Sequence, residues 1–428
     1  MHLKAVILSA GEGKRMRPLT LTKPKTMLPV AGKPIIQYNI EALRDNGITD
    51  ILLVVKYKEE LVKSYFKDGK DFGVKISYET QDEPAGTADA ISYSEDFAKN
   101  ENLIVLNGDI ILDKELISEI IADYENSQFD TLMVLTEVED PSHYGVVEIQ
   151  GILVKNIIEK PKKEDAPSNL INAGIYIFNK DVFSKIAETQ VSSRGEFEIT
   201  DSLILQIKDN KNIKGFITDK KWIDIGMPWD LLEINELIIK KIKENIKGTI
   251  EDGVTIHGTV FLDEGSIIRS GVYIEGSVYI GKNCDIGPNS FIRGSSYFGD
   301  NVNVGNAVEI KNSIIMENTN VNHLSYIGDS VVGSHCNMGA GTNVANLRFD
   351  DKPVLMSIKG QKTNTGRRKL GSIIGDNVKT GINTSFSPGV TVGFNSFIGP
   401  GILLQNDIES NKIVLLKQQQ YLIDNLKK

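Results

Sequence analysis

Two aspartates and a lysine in the first half of the 428-residue chain are residue types that phosphoryl transfer uses. Asp109 closes an Asn-Gly-Asp turn after an apolar run, and Asp224 follows far along the chain. Two separated carboxylates suit Mg²⁺, a hard cation that keeps several waters and bridges phosphates. Lys25 can offset phosphate charge. A single aspartate at a strand end is also a common solvated turn residue, so the surrounding motifs must decide its role.

A glycine loop precedes these residues. Gly11 and Gly13 follow the first apolar run and are followed by Arg15 and Arg17. Backbone N–H groups in such a loop can cradle phosphates, and glycine allows their close approach. The loop does not match the dinucleotide fingerprint, because Met16 stands at the third glycine position, and it lacks the Gly-Lys-Ser/Thr ending of a P-loop. By itself it indicates phosphate binding and no particular fold.

His323 is the centre of a second candidate site. A lone histidine is more often structural than catalytic, but Lys311 precedes this one and Tyr326, Asn337 and Asn346 follow it. An imidazole titrates near neutral pH, which suits a general base. A coil residue with a purely structural role does not need these polar neighbours.

The first part of the chain must position the phosphate chemistry. Short apolar runs at residues 4–9, 51–55, 103–106 and 132–135 alternate with helical patterns such as residues 35–46. Continuously apolar strands separated by helices predict a mostly parallel α/β sandwich, with ligands at the carboxyl ends of the strands. We expect this domain to span residues 1–228. Apolar residues at helical spacing from Trp229 to Lys247 then predict a linker helix over residues 229–248.

A period of six residues begins at residue 250. Glycine density doubles there, with 15 of the 38 glycines before residue 249 and 23 in the remaining 180 residues. Hexapeptide repeats of this kind predict a parallel β-helix, with three units per triangular coil and the aliphatic residue stacked inside. The twelve consecutive apolar positions are Ile250, Ile256, Leu262, Ile268, Ile274, Ile280, Ile286, Ile292, Phe298, Val304, Ile310 and Met316.

The repeat is interrupted twice. Its register slips near Val321 and Val332, and a basic excursion occupies residues 347–371 before the period resumes at Ile374. A cation-rich break in a strict repeat favours a functional loop over a tolerated insertion. We expect the β-helix to span residues 249–408 and to be followed by a C-terminal tail, residues 409–428, with a helix from Ile413 onward.

Composition excludes several classes of protein. The net charge is −9, so nucleic acid is not expected as a partner. No apolar stretch approaches the roughly 18 to 20 residues of a membrane span, so we expect no membrane partner. Only two cysteines, Cys284 and Cys336, occur, which fits a reducing cytoplasm and neither a disulfide framework nor a cysteine-based zinc site.

The first 228 residues resemble the sugar-1-phosphate nucleotidylyltransferases. The resemblance rests on the glycine loop with Arg15, on the Lys-Pro-Lys-Thr-Met-Leu-Pro segment that contains Lys25, and on the two aspartates. It implies catalytic roles for Arg15 and Lys25 and Mg²⁺ ligation by Asp109 and Asp224. It further implies nucleotide binding by Gly11, Gly13, Gln81, Gly86 and Thr87, and sugar-phosphate binding by Gly145, Glu159, Lys160 and Asn172.

The second half resembles the acetyltransferase half of the bacterial two-domain enzyme that makes UDP-N-acetylglucosamine, and more closely its archaeal bifunctional counterparts. The spacing from His323 through Tyr326 and Asn337 to Asn346 matches that motif without a gap. The resemblance implies that His323 is the general base. Sugar-phosphate binding is implied for Arg293, Lys311, Tyr326, Asn337 and Asn346, and an acetyl-CoA contact at the backbone of Ala340.

Together the resemblances imply an α/β Rossmann-like nucleotidyltransferase domain followed by a left-handed parallel β-helix of hexapeptide repeats. The implied enzyme acetylates glucosamine 1-phosphate with acetyl-CoA and then transfers a uridylyl group from UTP, or dTTP in its place, to N-acetylglucosamine 1-phosphate. Pyrophosphate is released and Mg²⁺ is required. The implied assembly is a cytoplasmic homotrimer.

Two alternatives stand beside this interpretation. The chain could be a nucleotidylyltransferase alone, such as a glucose-1-phosphate thymidylyl- or uridylyltransferase, with a structural or regulatory β-helix. It could also be a non-catalytic member, because the same architecture occurs in subunits of a translation-factor exchange complex. The non-catalytic class predicts eroded acids, whereas Arg15, Lys25, Asp109 and Asp224 are all present.

Overall fold

The computed structural model describes residues 3–83, 85–126, 129–420 and 422. The chain divides into two compact units. The first consists of Met1–Gly13, Lys23–Leu28 and Lys33–Gly226, and the second of Lys14–Thr22, Pro29–Gly32 and Met227–Lys428. Two short pieces of the N-terminal region thus belong to the second unit. None of the helices in the described residues is long and apolar enough to cross a membrane.

The first unit is built on a nine-stranded sheet. Its strands, in spatial order, are Lys75–Thr80, Asp50–Val55, Leu3–Ser9, Asn102–Asn107, Leu170–Phe178, Thr131–Glu137, Ile213–Ile217, Leu153–Glu159 and Gly145–Gln150. A separate two-stranded sheet pairs Ile110–Leu112 with Trp222–Asp224. The short strands Pro29–Val30 and Lys33–Pro34 complete the strands before residue 226.

The large sheet is mixed, and the expectation of a mostly parallel sheet was wrong in this respect. The first four strands in spatial order run parallel, as does the pair Thr131–Glu137 and Ile213–Ile217. Leu170–Phe178 is antiparallel to both of its neighbours, and so is Leu153–Glu159. The apolar runs could not reveal this, because a strand covered on both faces has the same composition in either direction.

The strands are apolar throughout because both faces of the sheet are covered. Ile51, Leu53 and Val55 belong to one hydrophobic core, whereas Leu52 and Val54 belong to the other. Successive side chains of a strand point to opposite faces, so each run feeds two cores. The covering helices of the first unit are Ile35–Asp45, Glu59–Phe66, Thr87–Ser92, Glu95–Ala98, Lys114–Glu125, Val182–Glu188 and Ile199–Lys208. Single 3₁₀ turns occur at Lys14–Met16, Leu19–Leu21, Lys25–Met27, Lys70–Phe72, Pro141–His143 and Lys163–Asp165.

The second unit contains the parallel β-helix, and the predicted fold class is confirmed. Face 1 consists of Asn245–Ile246, Val260–Leu262, Val278–Ile280, Ser296–Phe298, Ile314–Ile315, Val331–Val332, Ile373–Ile374 and Thr391–Val392. Face 2 consists of Thr249–Ile250, Ile267–Ile268, Asp285–Ile286, Asn303–Asn306, Asn320–His323, Asn337–Met338, Lys379–Thr380, Phe397–Ile398 and Ile413–Val414. Face 3 consists of Thr255–His257, Tyr273–Glu275, Phe291–Arg293, Glu309–Lys311, Tyr326–Gly328, Asn343–Val344, Ser385–Phe386 and Leu403–Leu404.

The register slip begins earlier than predicted. Phe298 pairs with Ile315 on the next coil, so Ile315 takes the interior position that the period of six assigned to Met316. The cause is one corner: Arg293 pairs with Lys311, but Tyr297 pairs with Ile314, so one residue is lost there. Met316 is nonetheless fully buried.

The basic excursion forms an antiparallel hairpin of Leu355–Ile358 and Gln361–Asn364. Val354 and Met356 on it are fully buried, and a side chain at Gly389 would lie 2.3 Å from the carbonyl oxygen of Leu355. The hairpin therefore packs against the coil at Gly389. The predicted resumption at Ile374 is confirmed by its pairing with Val332.

Both ends of the β-helix differ from the predicted bounds. The linker helix is Asp230–Ile239, and Asn245–Ile246 already pairs with Phe261–Leu262 of the next coil, so coil pairing overrides the helical spacing. At the other end, Ile413–Val414 forms a strand on Phe397–Ile398, and residues 415–420 are irregular where a helix was predicted. Residues 421 and 423–428 of that predicted tail lie outside the described residues.

Candidate active sites

The glycine loop and the Asn-Gly-Asp turn lie at one edge of the large sheet. Leu8 and Asn107 are paired at the carboxyl ends of parallel strands. The Gly108 N–H donates to the Leu8 carbonyl oxygen at 2.8 Å, and a Cβ on Gly108 would lie 2.6 Å from that oxygen. Glycine is required there because only its backbone can approach so closely. This packing brings Asp109 next to the first strand.

Lys25 contacts Asp109 directly. Its Nζ lies 2.6 Å from Asp109 Oδ2, and only 8% of Lys25 is exposed. The segment carrying Lys25 is fixed by a hydrogen bond of 2.6 Å between the hydroxyls of Thr26 and Ser9. A buried ammonium beside a half-exposed carboxylate forms an electrostatic centre where phosphate can bind.

The two aspartates, 115 positions apart in sequence, are brought together by the small sheet. Asp224 pairs with Ile110, and the Ile225 N–H donates to the Asp109 carbonyl oxygen at 3.1 Å. Both carboxylates are partly exposed. Within the described residues, groups of three or more metal-ligating side chains do not occur. The pair fits Mg²⁺, which is commonly held by one or two carboxylates together with substrate phosphates.

The predicted base-reading residues form a stitched segment. Gln81 is buried, and its Nε2 donates to Asp89 Oδ2 at 2.5 Å. Gly86 has φ +127°, and a Cβ there would lie 2.3 Å from the Phe197 carbonyl oxygen. Thr87 Oγ1 accepts from the Ile199 N–H at 3.0 Å. The segment around residues 197–199 therefore fixes Gly86 and Thr87.

Three of the predicted sugar-binding residues meet on neighbouring strands. Gly145 pairs with Glu159, and a Cβ on Gly145 would lie 2.9 Å from Glu159 Oε2 and 3.7 Å from Asn172 Cβ. Asn172 lies at a register shift in its strand, and its Nδ2 contacts the hydroxyl of Tyr176 at 2.5 Å. The absence of a side chain at Gly145 leaves a concave floor. Lys160 follows Glu159 at φ +46°, and its Nζ lies 3.5 Å from Glu159 Oε1.

Arg194 and Glu198 add charges to this floor. Arg194 Nη1 lies 3.1 Å from Glu159 Oε1 and 2.8 Å from Glu198 Oε1. Burial, followed by the negative charge of Glu159, raises the pKa of Glu198. Two carboxylates that share one guanidinium are poised to bind neutral hydroxyls of a sugar.

The loop residues themselves fall on either side of the boundary between the units. Gly11 and Gly13 belong to the first unit, and Gly13 has φ +62°. Arg15 belongs to the second unit and is exposed, while its neighbour Met16 is fully buried.

A second group of predicted residues lines face 3 of the β-helix. Arg293 pairs with Lys311 on successive coils, and Tyr326 pairs with Glu309. Arg293 Nη1 lies 3.1 Å from Glu309 Oε1. Burial is the main cause that raises the pKa of Tyr326, so its phenol stays protonated. Two cations and a phenol on adjacent rungs form a surface suited to a phosphate and a sugar hydroxyl.

Asp329 joins these residues, and sequence reasoning missed it. It is 3% exposed. Its Oδ2 accepts from Lys311 Nζ at 2.9 Å and from Asn346 Nδ2 at 2.6 Å, and its Oδ1 accepts from Asn312 Nδ2 at 2.8 Å. Asn346 Nδ2 also lies 3.0 Å from the Tyr326 hydroxyl. One buried carboxylate therefore fixes the lysine and the asparagine that the motif predicts.

His323 lies at the corner between faces 2 and 3. Its side chain is exposed, and its carbonyl oxygen accepts from Ser325 Oγ at 2.7 Å and from the Gly341 N–H at 3.3 Å. The imidazole makes no hydrogen bond to another described residue. Ala340, next to Gly341, is therefore held close to the His323 backbone. Asn337 is exposed on face 2, so a single chain does not bring it onto the face that carries Tyr326.

Comparison with known proteins identifies the family. The nucleotidyl transferase family model matches residues 4–241, and the GMPPB C-terminal domain model matches residues 274–384. The "Bifunctional protein GlmU" of Methanococcus maripaludis strain C7 is 50% identical over 418 residues, which cover 97% of this chain and 98% of the relative. The chain belongs to this GlmU family.

Other relatives agree. GlmU of Methanocaldococcus jannaschii is 46% identical, again over 97% of this chain and 98% of the relative. The "Bifunctional sugar-1-phosphate nucleotidylyltransferase/acetyltransferase" of Sulfurisphaera tokodaii is 42% identical over 95% of this chain and 98% of the relative. Among solved structures, a UDP-glucose pyrophosphorylase complexed with UDP-glucose is 29% identical, has a TM-score of 0.51, and covers 56% of this chain and 100% of its own. These relatives confirm the resemblance that the sequence motifs indicated.

In this GlmU-family chain, the residues that sequence reasoning missed share a lack of local signal. Asp329 occupies a coil corner with φ +48°, where aspartate and asparagine are common for conformational reasons alone. Arg194 and Glu198 lie 35 or more positions from Glu159 in sequence. Only the fold reveals these contacts.

Proposed function

We propose that this chain catalyses two successive reactions on an amino-sugar 1-phosphate. Acetyl-CoA acetylates glucosamine 1-phosphate at nitrogen, and the product then reacts with UTP to give UDP-N-acetylglucosamine and pyrophosphate. One observation carries the proposal: a single chain holds both Lys25 beside the paired aspartates and the cluster that Asp329 organises on face 3. The family membership supports it over the full length of the chain.

The uridylyl transfer needs no protein nucleophile. An oxygen of the sugar phosphate attacks the α-phosphorus of UTP, and the bond to the pyrophosphate oxygen breaks. Lys25 and Arg15 offset the negative charge of the two reacting phosphates. Gln81, Gly86 and Thr87 bind the base and nucleotide, and Gly11 and Gly13 give the phosphates access to backbone N–H groups. Gly145, Glu159, Lys160 and Asn172 bind the sugar.

Asp109 and Asp224 hold Mg²⁺ in this proposal. When bound, the ion supplies positive charge at the α-phosphoryl oxygens. Lys25 holds the Asp109 carboxylate at 2.6 Å, so the acid is oriented before substrate arrives. Positioning and electrostatics supply most of the barrier reduction, as in other phosphoryl transfers.

The acetyl transfer uses the β-helix. The sugar amine attacks the thioester carbonyl carbon, His323 accepts the proton from the amine, and coenzyme A leaves as its thiol. Arg293 and Lys311 bind the sugar phosphate, while Tyr326 and Asn346 orient the sugar. The backbone N–H of Ala340 donates to the oxyanion. An exposed imidazole without an internal partner is free to accept that proton.

We propose a homotrimer as the working assembly. Asn337 would then act from face 2 of a neighbouring copy, which supports a site completed between chains. Large apolar side chains remain exposed towards the C-terminal end of the β-helix and would be covered by assembly: Ile382, Phe397, Leu403, Ile413, Leu415 and Leu416. A cytoplasmic location is supported by the free, buried thiols of Cys284 and Cys336.

A nucleotidylyltransferase without acetyl transfer is the second candidate. The likeness to UDP-glucose pyrophosphorylase over 56% of this chain favours it for the first unit. Two half-reactions distinguish the candidates. We expect thiol release from acetyl-CoA with glucosamine 1-phosphate, and pyrophosphate release from UTP with N-acetylglucosamine 1-phosphate. Parallel arms with dTTP, glucose 1-phosphate and galactosamine 1-phosphate define the preference. Pyrophosphate release without any thiol release would favour the second candidate.

A further inference from the structure

Two short pieces of the nucleotidyltransferase signature pack within the second unit. They are Lys14–Thr22, which carries Arg15, and Pro29–Gly32. The intervening piece, Lys23–Leu28, carries Lys25 and belongs to the first unit. The backbone that presents Arg15 and Lys25 is thus bracketed by residues that the second unit holds.

The first anchor is a hydrogen bond from Thr22 to Asp376. Thr22 Oγ1 donates to Asp376 Oδ2 at 2.8 Å, a shorter distance than the 3.3 Å to its local alternative, the Leu19 carbonyl oxygen. Asp376 is 6% exposed and lies at a corner of the β-helix, where its Oδ1 accepts from the Ser334 N–H at 2.8 Å. A hydroxyl that bonds a buried, backbone-tethered carboxylate has little freedom to move.

The second anchor is Asn235. Its side chain is fully buried in the helix Asp230–Ile239. Oδ1 accepts from the Ala31 N–H at 3.0 Å, and Nδ2 donates to the Ser295 carbonyl oxygen at 2.7 Å. Gly32, at φ +89°, lies so close to Tyr279 that a Cβ would be 2.3 Å from the ring. One amide therefore ties the segment to a coil of the β-helix.

We propose that Asp376, acting through Thr22, and Asn235, acting through Ala31, are positioning residues for nucleotidylyl transfer. They lie in the acetyltransferase half of the sequence, yet they fix the two ends of the segment that presents Arg15 and Lys25. Small displacements of charged groups around a reacting phosphate are costly, because a shift of about 1 Å can reduce a rate by about 100-fold. The inference rests on the proposed function and adds a dependence of the first reaction on the β-helix.

The test uses full-length Thr22→Val, Thr22→Ser and, as a matched control, Thr255→Val, which changes an exposed threonine on face 3 of the same β-helix. Both activities and the melting temperature are measured on each preparation. For Thr22→Val we expect kcat/KM for UTP to fall by about tenfold or more, with acetyl transfer within about twofold of wild type. Thr22→Ser, which keeps the hydroxyl, restores uridylyl transfer, and Thr255→Val changes neither activity.

Three results would overturn the inference. They are wild-type uridylyl transfer in Thr22→Val, an equal loss of both activities in that variant, or failure of Thr22→Ser to restore uridylyl transfer. Failure of the proposed function itself is recognised separately, because wild-type protein would then release no pyrophosphate from UTP and N-acetylglucosamine 1-phosphate.

Discussion

The buried carboxylate of Asp329 gives a quantitative prediction for the acetyl-transfer site. Asp329→Asn keeps the size of the side chain but replaces one carboxylate oxygen with an amide that donates. Three donors face Asp329, at 2.9, 2.6 and 2.8 Å, from Lys311, Asn346 and Asn312. The amide oxygen can satisfy one direction only, so at least one donor loses its acceptor and the Lys311 charge loses its partner.

The size of the effect follows from burial. A hydrogen bond to a charged group contributes about 1.5–3 kcal/mol, and breaking a fully buried ion pair costs about 3–5 kcal/mol. The Lys311 side chain is 19% exposed, so water recovers part of that loss. We therefore expect a cost of about 2–3 kcal/mol. If it is expressed in sugar-phosphate binding, KM for glucosamine 1-phosphate rises about 30- to 100-fold, because about 1.4 kcal/mol corresponds to tenfold.

The assay follows thiol release from acetyl-CoA as glucosamine 1-phosphate is varied. Uridylyl transfer in the same preparation is the internal control and should be unchanged. Asp350→Asn is the matched variant, because that carboxylate is partly exposed and pairs only locally, with Arg348. The reasoning is refuted if Asp329→Asn and Asp350→Asn give the same KM and kcat as wild type.

Three further predictions test the assigned roles. His323→Ala should lower acetyl transfer by about 10²- to 10⁴-fold while uridylyl transfer and the melting temperature stay unchanged, and a stable variant with wild-type acetyl transfer would remove His323 from the mechanism. Asp109→Asn should lower pyrophosphate release by orders of magnitude, since metal charge stabilisation contributes several kcal/mol, and should leave thiol release intact; joint loss in a folded variant would contradict two separate sites. Because the pKa of Glu198 is raised above its ordinary value of 4.5, its ionised form costs stability as pH rises past that raised pKa. Thermal unfolding should therefore show Glu198→Gln gaining stability relative to wild type between about pH 4 and pH 8, and a gain that shrinks with rising pH would contradict the assignment.

The repeat was the most predictable part of the fold. Each coil stacks on the one before it, so the positions Ile256, Ile274, Ile292 and Ile310 report a single interior column. The prediction for Met316 was wrong because the loss of one corner residue changes the spacing from 18 to 17, and no residue type marks such a loss.

Helical spacing misled at both ends of the β-helix. Ile242 and Ile246 continue the apolar pattern of Asp230–Ile239, but Ile246 is committed to pairing with Leu262. Local pattern cannot reveal a backbone ladder formed with a segment 16 residues away. The same holds for Ile413–Val414, which pairs with Phe397–Ile398.

The sites divide in the same way. Asp109 and Asp224 could be proposed from motifs, and the ladder that joins them was visible only in the fold. Asp329 could not be found, because its role depends on three side chains from three different coils of the helix.

The most direct test of the central claim is one reaction mixture containing purified full-length protein, glucosamine 1-phosphate, acetyl-CoA, UTP and Mg²⁺, followed by mass spectrometry of the nucleotide sugars. Two catalytic sites on one chain predict UDP-N-acetylglucosamine, with one thiol and one pyrophosphate released for each molecule formed. Omission of acetyl-CoA should abolish that product, and supplied N-acetylglucosamine 1-phosphate should restore it. Formation of a nucleotide sugar from supplied N-acetylglucosamine 1-phosphate, with no thiol release from acetyl-CoA and glucosamine 1-phosphate, would contradict the account.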